Sequence, residues 1–498
     1  MNAINLFISA VKKQPTRLAI VETDKSISYS ELEKEVLKTV AYFQEMGIKK
    51  GDRVLVFVPM SIDLYRIVLA LFYMGSTAVF LDEWVNKKRL ELCCELADCK
   101  GFIGVRKARI FSLFSKPLRR IPIKLKISGR SNQAISQAEV DYDSSALITF
   151  TTGSTGTPKA ANRSHGFLRE QFDALIDEID PSYEDVDLPV LPIVLFVNLG
   201  VGCTSVIADF KMSKIHKMNS QEIINQIKKN NVNRITSSPS FIHTLTQFTI
   251  DNKIELNNIE KIFTGGGPVF PEEVNLFEKA FPNSDSKIVY GSTEAEPISS
   301  LSARELKISL GDISKGLPVG EVYSKTKLKI IPFTQDSIPN TTELQLSEDE
   351  VGVGEMGEII VAGNHVLKSY FNNPKAFEQN KIVTEKTTWH RTGDCGTLEN
   401  GKLFLFGKCE QVINYQNKTY SPFVIEHQLK QIKGIETGTV LLLNNKLTLV
   451  VETNLSKERV QQELKFLEIE NSVILKKIPR DPRHYTKIDY GKLKEIIS

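Results

Sequence analysis

Paired cysteines are missing from this chain. Its six (Cys93, Cys94, Cys99, Cys203, Cys395 and Cys409) show no C-x-x-C spacing, and no His/Cys/Asp cluster has the spacing of a zinc site. A protein of 498 residues needs no disulfide staples, so reduced thiols and a cytoplasmic location are the expectation. Residues 1–17 lack the basic start, apolar centre and small-residue cleavage site of a secretory signal. A long apolar run is missing too. The most apolar stretch, residues 67–81, is interrupted by Gly75 and is too short to span a bilayer, so it reads as a buried helix, turn and strand. There is no repeat at fixed period and no low-complexity tract. Net charge is only +3, which calls for no nucleic-acid partner.

What is present is ordinary globular composition, 41% hydrophobic and 25% charged, in a chain too long for one core. At least two domains follow. Ser30 with Glu33 three residues on reads as a capping box, and Leu32, Val36, Leu37, Val40 and Phe43 then share a helical face until Gly47. A buried strand at 53–58 precedes helix 61–73, strand 77–81, helix 86–97 and strand 101–105. The same rhythm returns at 221–229, 234–237, 240–248 and 261–263. Such alternation predicts an α/β fold, with parallel-rich sheets covered by helices in a large N-terminal domain. After the strand ending at 404–406, short strands and helices predict a small α+β C-terminal domain of about ninety residues.

The densest chemistry lies at Thr151-Thr152-Gly153-Ser154-Thr155-Gly156-Thr157-Pro158-Lys159, directly after an apolar strand at 146–150. Glycines let backbone N–H groups converge on an anion, while the threonine and serine hydroxyls and Lys159 add donors, so the loop is suited to phosphates. Its spacing is not that of a Walker loop, because Pro158 precedes the lysine and Ala160 follows it, which disfavours a P-loop NTPase. Taken alone, it also fits a flexible surface turn. Phe263-Thr264-Gly265-Gly266-Gly267-Pro268 and Tyr290-Gly291-Ser292-Thr293-Glu294 each follow a short β-prone run, His390-Arg391-Thr392-Gly393-Asp394 comes next, and Lys487 stands near the C-terminus. Individually these read as turns or solvated charges.

In this order, the five segments resemble the acyl-adenylate-forming (AMP-binding) superfamily along essentially the whole chain. The resemblance implies an enzyme that joins a carboxylic acid to the α-phosphate of ATP, releasing pyrophosphate. It implies that Thr151, Thr152, Gly153, Ser154, Thr155, Gly156 and Lys159 hold the β- and γ-phosphates. Glu294 would hold Mg²⁺ and Thr293 would donate to the α-phosphate. Gly265, Gly266 and Gly267 would lie against adenine with Tyr290 stacked on it, and Asp394 would accept from the ribose. Lys487 would bridge the substrate carboxylate and the α-phosphate. Domain bounds of 1–406 and 411–498, with a hinge at 407–410 about which the smaller lid rotates, are expected on the same ground.

Some positions depart from the common pattern. The hinge usually reads Gly-Arg-x-Asp and here reads Gly407-Lys408-Cys409-Glu410, so the fork an arginine would offer to ribose or phosphate is absent. Where acyl-CoA ligases place a glycine and then an arginine, the chain has Asn417 and Thr419, which counts against coenzyme A as second substrate. Trp389 to Asp394, Tyr290 to Pro297, Phe102 to Val105 and Asp481 to Ile488 are most similar to olefin-pathway β-lactone synthetases, with Tyr485-Thr486-Lys487 replacing Ser-Gly-Lys. That resemblance implies a fatty or 3-hydroxy fatty acid activated and then closed by its own hydroxyl. The alternatives are thioester formation with coenzyme A and transfer to an acyl carrier protein. A non-catalytic adenylate-binding relative is disfavoured by the intact Lys159, Glu294, Asp394 and Lys487.

Further candidates are weaker. His484 is a candidate base for the internal hydroxyl, against the plainer reading of an exposed loop residue; His165 and His390 are equally ambiguous. Residues 191–201 line either an acyl tunnel or the core. Between Gly101 and Arg130 no acidic residue occurs, while nine Lys and Arg alternate with Phe111, Leu113, Phe114 and Leu118. That surface either contacts anionic lipid or a pathway enzyme, or is simply solvated.

Overall fold

The computed structural model describes residues 2–81, 87–133, 135–152, 158–308, 313–339, 341–464, 467, 469, 471–481 and 487–497. The β/α alternation builds a six-stranded sheet, ordered Ile123–Leu125, Gly101–Gly104, Arg53–Phe57, Thr77–Phe80, Ser145–Thr152, Pro158–Ser164. Neighbours run parallel up to Ser145–Thr152, whose last partner returns antiparallel as a hairpin. Helix Ile62–Met74 is buried nearly all round, capped by the Ser61 hydroxyl on Leu64 N and stopped by Gly75 at φ +66.

A second sheet has fourteen strands among the described residues. One half is parallel: Val186–Pro189, Arg234–Ser237, Lys261–Gly265 and Asp285–Ser292 lie side by side, the last three where the sequence places short strands and the first without a counterpart there. From Asp285–Ser292 onward it turns antiparallel through Ala295–Ser302, Leu317–Val322, Lys402–Lys408, Thr388–Glu399, Gly357–Ala362 and Lys327–Ile331.

The first long helix starts two residues earlier than the sequence pattern suggests. It spans Tyr29–Glu45, and its capping box is formed by Ser28 and Glu31, not Ser30 and Glu33. Both pairs have the same spacing, and burial chooses between them. Tyr29 is fully buried and its hydroxyl donates to the carbonyls of Asn198 and Cys203, which places it inside the helix. Leu32, Val36, Val40 and Phe43 are buried as expected, and Leu37 is half-buried.

After strand Lys402–Lys408 and a 3-10 turn at Cys409–Gln411, the chain forms the hairpin Ile413–Tyr415/Lys418–Tyr420 and a three-stranded sheet with its own apolar cluster. Helix Pro422–Lys430 connects this part to the larger one. Phe423 packs edge-on to Phe270, Lys430 Nζ sits 4.2 Å from the Phe270 ring centre, and His427 Nδ1 lies 3.0 Å from Glu272 Oε1.

In the same helix Glu426 is buried, and desolvation pushes its carboxyl up to about 8 against the opposing charges of Lys430 and Arg480. A carboxyl with a raised folded pKa contributes stability fully below its unfolded pKa of about 4.5, and loses it as pH rises through about 8. Glu426→Gln should therefore flatten the fall in melting temperature between those two values. Identical slopes in wild type and variant would exclude this ionisation.

Candidate active site

The turn Thr293–Glu294 joins two adjacent strands, with Ser292 paired to Ala295 across it. So tight a turn projects both residues from the end of the sheet, and the Ser292 hydroxyl accepts from the N–H groups of Glu294 and Ala295. The six-stranded sheet meets this point through its terminal hairpin. Arg163 is buried there, donating from Nη1 to Thr149 Oγ1 at 2.9 Å and from Nη2 to the Thr293 carbonyl at 3.1 Å.

Residues 366–381 strap the two sheets together. Leu367 N donates to the Glu294 carbonyl, Tyr370 bridges to Ala161, and Phe371 N donates to the Ala160 carbonyl. The Tyr370 hydroxyl donates to Glu294 Oε1 at 3.2 Å; burial first, and then the Glu294 charge, raise that hydroxyl's pKa. Lys159 Nζ reaches Asn380 Oδ1 at 2.6 Å, and its pKa is lowered by burial against the pull of Glu294. Next in the strap is Lys381, buried under the Tyr370 ring with its ammonium on the Leu367 carbonyl. Burial brings it down to about 7 although Glu294 opposes the shift. The Glu294 charge thus acts on Lys159 and Lys381, while Arg163 feels first the charge of Glu296 and then that of Glu294.

A second constellation flanks the first. Tyr290 Oη donates to Asp394 Oδ2 at 2.8 Å, while Lys408 Nζ lies 2.9 Å from Asp394 Oδ1. Both carboxylate oxygens are engaged, yet each keeps a second lone pair for another donor. Lys408 keeps half its side chain exposed, so desolvation opposes little, and the Asp394 charge and hydrogen bond leave its pKa raised. The lysine at the hinge motif therefore holds the acidic residue itself. Arg391, three residues before Asp394, is structural: its guanidinium pairs with buried Glu358 at 2.6 Å and donates to the carbonyls of Thr334 and Asp336.

The glycine segment Gly265–Gly267 closes strand Lys261–Gly265 beside Tyr290's strand. A Cβ on Gly265 would stand 2.5 Å from the Val289 carbonyl oxygen, and Gly266 has φ +86, so both positions demand glycine. Thr151 and Thr152 end the Ser145–Thr152 strand. Gly153, Ser154, Thr155 and Gly156 lie outside the described residues, as does His484. Lys487 is exposed ahead of the closing helix Tyr490–Ile497, its carbonyl accepting from Asp481 N.

Of the other histidines, His390 is buried with Nδ1 on the Asn380 carbonyl, and burial followed by the Lys381 charge drives its pKa well below the ordinary value. His165 accepts from Ala3 N and is brought to about 4 by burial. Sequence reasoning missed Arg163, Tyr370, Lys381 and the Asp394 partnership of Lys408. Only Arg163 left a signal: four residues after Lys159 on one strand, it shares that residue's face. Among the described residues no group of three or more His, Cys, Asp or Glu could hold a metal ion, and no helix is long and apolar enough to cross a membrane.

Two large sheets meeting at a strapped hairpin turn, with a small α+β unit after them, define an acyl-adenylate-forming ligase. The chain belongs to the AMP-binding enzyme family, whose model matches residues 7–371. It is 27% identical over 450 residues to an olefin β-lactone synthetase of Xanthomonas campestris, covering 84% of this chain and 79% of that one. A second olefin β-lactone synthetase, from Stenotrophomonas maltophilia, is 26% identical over 413 residues, covering 78% and 73%. Among solved structures, O-succinylbenzoate coenzyme A synthetase from Bacillus subtilis in complex with ATP and magnesium ion superposes with TM-score 0.80 at 20% identity, over 98% of this chain and 99% of that one. At that identity the likeness concerns the fold.

Proposed function

We propose that the protein activates a 3-hydroxy fatty acid with ATP and closes the resulting acyl-AMP to a β-lactone. The observation that carries the first step is a buried Glu294, bonded by the Tyr370 hydroxyl and set among the cations Lys159, Lys381 and Arg163, beside the Tyr290–Asp394–Lys408 group. A carboxylate attacks the α-phosphorus, its oxygen forms the new P–O bond, and pyrophosphate leaves with the electron pair of the broken one. The protein's task is then positioning and charge neutralisation.

In this reading Thr151, Thr152, Gly153, Ser154, Thr155, Gly156 and Lys159 hold the leaving phosphates, and Thr293 donates to the α-phosphate. The backbone of Gly265, Gly266 and Gly267 lies along adenine, the Tyr290 ring stacks on its face, and Asp394 accepts from ribose hydroxyls. Glu294 fits Mg²⁺, since a hard cation bound chiefly through phosphate oxygens needs only one or two protein carboxylates; it supplies further neutralisation of the phosphate charge. Residues 411–498 form a lid that turns about 407–410 to bring Lys487 onto the reacting carboxylate.

For the second step, the 3-hydroxyl oxygen forms the ring C–O bond, the acyl C–O bond to AMP breaks, AMP leaves with the electron pair, and the hydroxyl proton passes to solvent. The attack is intramolecular and avoids capturing a second molecule. The likeness to two olefin β-lactone synthetases supports this product. The second reading is thioester formation with coenzyme A, favoured by the turn at Asn417. Its φ of +60 is the left-handed conformation open to glycine and tolerated by asparagine, so this backbone would also accept the glycine expected of a coenzyme A ligase.

Product mass spectrometry with and without coenzyme A separates the two. A 3-hydroxy fatty acid should release pyrophosphate and yield a lactone without coenzyme A, whereas the same acid lacking the hydroxyl should stall as acyl-AMP. Rapid thioester formation from plain acids, with no lactone from the hydroxy acid, would replace the first reading by the second.

A further inference from the structure

We propose that the surface formed by residues 106–120 docks onto an anionic phospholipid bilayer, with Ile110, Phe111, Leu113 and Phe114 entering the headgroup boundary.

Two short helices, Arg106–Ser112 and Lys116–Arg120, follow strand Gly101–Gly104 and lead into the sheet's edge strand Ile123–Leu125. Their inner face is anchored: Ala108, Leu118 and Ile121 are buried in a cluster with Phe102, Cys94 and Leu90. The outer face has no such cover. Ile110 is 51% exposed, Phe111 38%, Leu113 63% and Phe114 71%, four large apolar side chains within five residues. Elsewhere among the described residues exposed large hydrophobics are scattered along the chain, which is normal for a surface; this cluster is not.

Arg106, Lys107, Arg109, Lys116, Arg119 and Arg120 are all exposed around it, and no acidic residue occurs between 101 and 130. Charge complementarity therefore selects an anionic occupant. The apolar residues lie at the end of the seven-residue helix and in the turn before the five-residue one. A soft, laterally continuous partner suits that arrangement: the aromatic and aliphatic tips insert at the interface while the long basic side chains spread to lipid phosphates. The inference does not depend on which acid the enzyme activates.

Flotation with phosphatidylcholine vesicles, with and without phosphatidylserine, tests it on the full chain. Wild type should float with the anionic vesicles and bind at least about tenfold less to pure phosphatidylcholine, or to the same anionic vesicles in about 0.5 M salt. Leu113→Ser/Phe114→Ser and Arg119→Glu/Arg120→Glu should each weaken anionic binding about tenfold or more, with melting temperature and pyrophosphate release on a short soluble acid unchanged. Absence of wild-type binding to anionic vesicles overturns the proposal. So does equal binding by wild type and both variants, or a wild type that ignores vesicles but self-associates through this face.

Discussion

Lys487→Ala should lower acyl-AMP formation by about 100-fold or more, the usual cost of removing a donor aimed at transition-state charge. Two negative groups, the acid's carboxylate and the α-phosphate, must approach within bonding distance, and a cation between them lowers that repulsion only while they react. Lys487 is exposed in the present arrangement, so its truncation leaves no buried cavity and the variant should melt with the wild type. Its effect should also be confined to one step. Given synthetic acyl-AMP of a 3-hydroxy acid, the variant should close the ring within about threefold of wild type, because that step does not bring two anions together. Pyrophosphate release within about fivefold of wild type would remove Lys487 from the mechanism.

How much of this was readable from the chain differs between its halves. Strands Arg53–Phe57 and Thr77–Phe80 are short, largely apolar runs bounded by serines and glycines, and they fall where the sequence pattern places them. The antiparallel half offered no such pattern. Strand Thr388–Glu399 runs for twelve residues straight through His390, Arg391, Gly393 and Asp394, a string that reads as a polar turn. It remains a strand because its polar groups are satisfied internally: Arg391 by Glu358, Thr392 by the Ile359 carbonyl, and Gly393, at φ +67, by Glu358 Oε1. The motif was visible while the element carrying it was not.

The site was divided in the same way. Glu294 and Asp394 stand inside recognisable motifs, but their partners come from remote segments with no local signature. Tyr370 lies 76 residues from Glu294, and Tyr290 lies 104 from Asp394. Lys381 shows the limit most clearly: a lone lysine in sequence reads as a solvated charge, and only the packed strap, with the Tyr370 ring over its ammonium, reveals a buried amine.

Glu294→Gln should lower adenylation about 100-fold at saturating Mg²⁺ and move the Mg²⁺ midpoint upward at least about tenfold, because it removes charge while keeping shape. Two effects act together. The amide is a poorer ligand for a hard cation, and Lys159 and Lys381 lose the negative neighbour that favours their charged forms. Tyr370→Phe is the control that separates charge from orientation. It deletes only the hydrogen bond to Glu294 Oε1, worth about 1.5 to 3 kcal/mol for a charged acceptor, so a loss of roughly ten- to 150-fold is expected. The carboxylate keeps its charge there, and the Mg²⁺ midpoint should stay within about twofold of wild type. If the two variants instead shift the midpoint equally, Glu294 acts by geometry and the metal is held elsewhere. If neither shifts it while both lose rate, the carboxylate serves the lysines alone, and charge balance among Lys159, Lys381 and Arg163 is its function.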